Sequence, residues 1–133
     1  MRSVILSVSV LLAIATGSVR ADPIMECGVL ARDGAVSDCL RTQLEVSYQA
    51  MDQGLDLARA AAEELDRTAG GDAAVLGLEA SQQAWEAYRD VECQTLAMFV
   101  AGALPAETAQ LACEIRLMRA RTDTLLRFAG QGS

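Results

Sequence analysis

The chain has no histidine, and its 11 basic residues are all arginine, with no lysine. Without His there is no Ser–His–Asp or Cys–His catalytic set, no His-ligated metal and no c-type haem attachment. Aromatic residues are scarce: one Trp, two Tyr and two Phe. There is no basic run, and 18 Asp and Glu outweigh the arginines to give a formal charge of −7. Such a balance argues against nucleic acid and anionic membrane as partners. The mature chain also lacks alternating strand-like runs, internal repeats and low-complexity linkers. At 133 residues it has room for one small domain.

What is present begins with a leader pattern. Met1-Arg2 carries a positive charge, Val4 to Ala15 is an apolar run broken by Ser7 and Ser9, and Val19-Arg20-Ala21 offers small or aliphatic side chains before a cleavage point. This layout predicts a secretory signal peptide over residues 1–21, removed after Ala21, and a mature domain over 22–133. The apolar run is too short to span a bilayer, so no membrane anchor is expected after cleavage. Asp22 to Glu26 lacks the small apolar residues of a lipidation signal. Loss of residues 1–21, with Arg2 and Arg20, leaves 112 of the 133 residues and moves the charge from −7 to −9. The expected location is periplasmic or secreted, where thiols oxidise and small domains use disulfides to supplement a limited core.

Apolar spacing in the mature chain predicts an all-α fold, a small antiparallel bundle of about three main helices. Leu40, Leu44, Tyr48, Met51, Leu55, Ala58, Ala62 and Leu65 trace one stripe over about 36–67. Ser37 or Asp38 is placed to cap its start, and Thr68-Ala69-Gly70-Gly71-Asp72 to end it. A second helix is expected to start after Asp72 and run to about Ala101, with Val75, Leu78, Gln82, Trp85, Tyr88, Glu92, Leu96 and Phe99 on related faces. Pro105 suits the first turn of a third helix, with Glu107 near its positive end. Leu111, Ile115, Met118, Leu125 and Phe128 form that helix's stripe. The stretch from Pro23 to Ala35 has no clear periodicity and is compatible with a small helical turn.

Four cysteines allow three pairings. Cys93 and Cys113 lie at equal distances from Ala103, in the middle of the second turn, so an antiparallel hairpin sets them opposite one another. Cys27 and Cys39 then form the other pair. A four-thiolate zinc site is disfavoured by the absence of close C-x-x-C spacing and by the oxidising compartment. Met25, Met51, Met98 and Met118 are too scattered for copper and suit core filling. No metal or cofactor is implied. Carboxylates are numerous, but nothing focuses them into a catalytic constellation, so no catalytic residue and no enzyme is expected.

The stretch Gln82-Gln83-Ala84-Trp85-Glu86-Ala87-Tyr88-Arg89-Asp90-Val91-Glu92-Cys93 resembles the signature of the LprI-like lysozyme-inhibitor domain family. Gly102 in the following turn, Cys113, and Arg121-Thr122 in the last helix are similar to the family's later elements. Cys27, Cys39-Leu40 and Tyr48 resemble its N-terminal cysteine pair and first-helix aromatic. Met118 departs from the pattern, where members often carry Thr. The resemblance, from Cys27 to about Phe128, implies a compact disulfide-linked helical domain outside the cytoplasm whose activity is lysozyme inhibition. It supplies no catalytic residue.

Read for their own chemistry, the motif residues have structural roles. Trp85 and Tyr88 are expected as a core-facing pair. Arg89, beside Asp90, is expected to bridge helices to a carboxylate at Asp52, Glu45 or Asp123. Gln82 is placed to bond backbone carbonyls. Arg116, Arg119 and Arg121, with Glu114 and Asp123, read as a mixed solvated face, and Glu63-Glu64-Asp66 as a wet helix end. Three functions fit: an inhibitor of a cationic lysozyme, a periplasmic adaptor for some other protein, or a structural or stress-related envelope protein. Either a monomer or a dimer is compatible with single apolar stripes.

Overall fold

The computed structural model describes residues 21–30 and 35–130. The expected leader, apart from Ala21, lies outside the described residues. Four helices follow in order: α1 (Pro23–Leu30), α2 (Val36–Ala69), α3 (Ala73–Phe99) and α4 (Ala106–Phe128). The fold is all-α. Its three long helices fall where the spacing of apolar residues puts them, and α1 is a full helix of 8 residues rather than a single turn. Asp22 explains its start: the Asp22 carboxylate accepts the Ile24 N–H at 2.9 Å, and Pro23 needs no donor partner at the first helical position.

The other termini differ in detail from expectation. Neither Ser37 nor Asp38 caps α2; Ala35 holds the N-cap position without a side-chain bond. Asp38 lies in the first turn instead, paired with Arg41 at 2.8 Å. Gly70 does end α2, at φ 78°, where a residue without Cβ is at ease. The third long helix begins at Ala106, with Pro105 as its N-cap and Glu107 in its first turn.

α2 and α4 run side by side in the same direction, and α3 runs antiparallel to both. Leu40 packs with Ala112 and Ile115 at one end, beneath α1 and Cys27. Met51, Ala58, Ala62, Leu78, Met118 and Leu125 form the second cluster, farther along the bundle. Gly54 lies where α2 packs on α4, and an added Cβ would stand 3.5 Å from Leu125 Cβ and 3.7 Å from the Thr122 methyl.

The disulfides join Cys27 to Cys39 and Cys93 to Cys113, closing separations of 12 and 20 residues. This is the pairing expected from the hairpin. Both links sit at one end of the bundle, where α2 and α4 begin and α3 ends. The other end, at the α2–α3 turn and the last turn of α4, has no covalent tie.

The apolar stripes are not uniformly inward. Leu65, Tyr88, Phe99 and Phe128 are exposed. The buried stripe of α2 runs instead through Leu40, Ser47, Met51, Gly54, Ala58, Ala62 and Asp66, at steps of three, four and seven.

Candidate functional site

Four of the motif residues meet in one cluster between the long helices. Arg121 of α4 is 7% exposed. Its Nε donates to the Gln82 amide oxygen at 3.0 Å and its Nη2 to Ser81 Oγ at 3.2 Å. Gln82 in turn donates through Nε2 to Glu86 at 2.9 Å, with the Met51 sulfur 3.9 Å away. The amide therefore stands between a buried cation and a surface carboxylate. Gln82 was expected to serve backbone carbonyls; it serves Arg121, because its position on α3 faces α4 rather than its own preceding turn.

Trp85 sits beside two guanidiniums. Arg89 Cζ lies 5.4 Å from its ring centre and Arg121 Cζ 5.8 Å. Arg89 also lies 5.6 Å from the Tyr48 ring of α2, so cation–π contact links α2 and α3. Its ion pair is with Asp90 of its own helix, through Nε at 2.9 Å and Nη2 at 2.7 Å, not the inter-helix bridge expected. The aromatic faces account for the difference: they receive the guanidinium plane, and its donor edge is left toward the neighbouring carboxylate.

The electrostatics follow from this packing. Burial pushes the Tyr48 phenol above its ordinary range, reinforced by Glu114, Asp90 and Glu86 and opposed by Arg89. Burial also acts to lower Arg89, but the Asp90 hydrogen bond, Tyr48 and nearby acids outweigh it, so its charge is held more firmly than usual. Arg121 goes the other way: burial lowers it, with Glu86 offsetting part of the effect.

Other expected site residues lie outside the cluster. Tyr88 points outward, 51% exposed, because Arg89 rather than Tyr88 occupies the inward position. Thr122 lies at the α2–α4 contact, its hydroxyl donating to the Met118 carbonyl at 2.9 Å. The solvated face expected for Arg116, Arg119 and Arg121 keeps only Arg116 exposed. Arg119 clamps α1 to α2 and α4, donating to Glu26 at 3.0 and 2.9 Å and to Gln43 at 2.8 Å. The Arg119 bond holds the Glu26 carboxyl below the ordinary range against the opposing effect of burial, with the charge of Arg119 and a Gln43 bond adding to it.

Asp66 also departs from expectation. It is buried, and its two oxygens accept the Ala74 and Val75 N–H groups at 2.8 and 2.9 Å, capping α3 from the end of α2. Asp72, at the N-cap itself, makes no side-chain cap bond.

Two surfaces stand apart from this interior. The α3–α4 turn carries Met98 and Phe99, 69% and 85% exposed, with Leu104 and Val91 nearby in sequence. Gly102 at φ 99°, bonds from the Ala103 and Leu104 N–H groups to the Val100 carbonyl, and the Cys93–Cys113 link fix this tip. At the other end a groove of about 320 Å³ opens between α2, α3 and the last turn of α4. Among the described residues no group of three or more His, Cys, Asp or Glu is arranged to hold a metal, and no helix is long and apolar enough to cross a membrane.

The molecule is a disulfide-tied helical domain in which Gln82, Trp85, Arg89 and Arg121 come together between the long helices. The family model described as "Lysozyme inhibitor LprI" matches residues 31–125. The chain belongs to that family, one defined by inhibition rather than by catalysis. No curated protein and no solved structure matches it.

Proposed function

We propose that this protein is exported, processed after Ala21 to a domain of residues 22–133, and acts in the periplasm or outside the cell by binding and blocking a lysozyme-type cell-wall hydrolase. The observation that carries this reading is the family match across residues 31–125, which takes in both halves of the bundle core and three of the four cysteines. Charge supports it: a chain at −9 after processing is drawn to cationic lysozymes, at rates that fall as salt rises. The α3–α4 tip is the element best suited to enter a cleft, since its apolar side chains are already exposed and its backbone is fixed before contact.

The test is the clearing of a bacterial suspension by lysozyme with and without the purified processed protein. Saturable inhibition near one-to-one stoichiometry, weakening as salt is raised, is expected. Undiminished clearing at large molar excess, across several lysozyme types, would overturn the reading.

A further inference from the structure

The groove at the covalently untied end has a chemistry that the inhibitor reading does not use. Its floor is Ala58, Ala62 and Leu78, all buried, and its rim includes the exposed Leu65 and Phe128. α3 lines it with Gly77, where an added Cβ would meet no atom within 4 Å, and with Ser81 one turn farther on. Small residues on two helices thus leave an apolar trough that no side chain fills.

Ser81 gives the trough a polar end. Thr42, Ser47, Thr68, Thr122 and Thr124 donate their hydroxyls to the backbone carbonyl four residues earlier, the usual use of a helical hydroxyl. Ser81 instead accepts from the Arg121 guanidinium at 3.2 Å, and its own O–H remains able to donate to a further acceptor. Behind it, neutral oxygens of Gln82 and Ser81 are the hydrogen-bond acceptors of Arg121, and the charge of Glu86 reaches it only across Gln82. A buried cation lacking direct neutralisation attracts an anion at the nearest accessible point, which here is Ser81.

We infer that this groove binds a medium-chain fatty acid, its tail on Ala58, Ala62 and Leu78 and its carboxylate at Ser81, accepting the serine O–H and facing the charge of Arg121. The apolar walls select the tail, and the guanidinium, only partly offset by Glu86, selects an acid over an alcohol of equal length. Lysozyme is not involved, so the outcome of the inhibition assay bears on a separate claim.

Calorimetric titration with decanoate and with decanol tests it on the intact protein. Decanoate should bind one-to-one, with decanol about tenfold weaker or worse. Gly77→Leu fills the trough from an exposed helical position and favours helix, so it should fold at least as stably while losing decanoate about tenfold or more. Ser81→Asp supplies a carboxylate of the protein's own beside Arg121 and should weaken decanoate while leaving decanol unchanged. Equal affinity for acid and alcohol, unchanged binding in Gly77→Leu, or no decanoate binding would each overturn the inference. A dimer in sedimentation that Gly77→Leu dissociates, without decanoate binding, would do the same, because a second copy would then be the occupant.

Discussion

Gln82 holds Arg121: the amide oxygen of one helix receives the guanidinium Nε of another at 3.0 Å, inside the bundle. The pair joins α3 to α4 at mid-length, and Gln82 passes the contact on to Glu86 at the surface. Truncating the amide leaves a buried cation short of an acceptor, which costs more than the bond itself contributes.

Gln82→Ala is therefore expected to lower stability by about 2–3 kcal/mol, read from urea unfolding at neutral pH. Gln82→Glu places a carboxylate against the same guanidinium and, in a Glu86→Gln background that removes the facing carboxylate, should lose much less. Equal losses in both variants would show that packing of the side chain, rather than its acceptor, is what matters.

Asp66→Ala removes both acceptors of the α3 N-terminus and should cost about 1–2 kcal/mol. Asp66→Asn keeps one oxygen and should retain part of that. Amide exchange gives the local readout: the Ala74 and Val75 amides should lose protection before those in the middle of α3.

The Arg119–Glu26 clamp makes stability fall in acid. Because the folded Glu26 carboxyl is held below its ordinary range, chiefly by the Arg119 hydrogen bond, the unfolded chain takes up a proton first as pH falls. The contribution is complete above the ordinary glutamate range, about pH 4.3, and is lost below it. Melting temperature measured from pH 7 down to 3 should show this loss, and Glu26→Gln should remove that part of the slope while costing about 1 kcal/mol at pH 7.

Tyr48 offers a spectroscopic check on the cluster. In a Tyr88→Phe background it is the only tyrosine, and its ultraviolet titration should lie above the ordinary range, with burial as the main cause. A raised phenol stabilises the fold at pH below the ordinary tyrosine value, and that contribution is lost as pH climbs through the raised one. Arg89→Gln removes the opposing cation and should move the titration further up.

Phe99→Ser tests the tip. The side chain is 85% exposed, so stability should change by no more than about 0.5 kcal/mol, while lysozyme inhibition should drop sharply. Full inhibition by this variant would direct the contact to another surface.

Helix positions and the Cys93–Cys113 link were legible in the sequence because periodicity and equidistance from a turn are geometric facts of helices; Cys27–Cys39 followed as the remaining pair, and the central motif was legible through its resemblance to the family's signature. Three interior residues were not, and they share a cause. Asp66 follows Ala62 by four, Arg89 follows Gln82 by seven, and Arg121 follows Met118 by three and precedes Leu125 by four. Spacing alone places each on a buried stripe. Their charge points to the surface, so apolar neighbours, Leu65 and Tyr88 among them, look like the better inward residues. What decides the matter is a partner on another helix: the open N-terminus of α3 for Asp66, the Tyr48 and Trp85 rings for Arg89, and Gln82 for Arg121. Such partners are distant in sequence. The Arg119–Glu26 clamp, spanning 93 residues, was hidden for the same reason.

Both disulfides lie where α2 and α4 start and α3 ends. One link ties α1 to α2 and the other α3 to α4, so each helix pair has a cross-linked pole and a pole without a disulfide, and thermal opening should begin at the latter. Hydrogen-exchange lifetimes would then form a gradient along the long axis rather than a single core value. Proteolytic nicking would favour the Gly70-Gly71 turn over the α3–α4 turn, and a chain cut there would form two pieces, α1–α2 and α3–α4, each keeping its own disulfide and held to the other by packing alone.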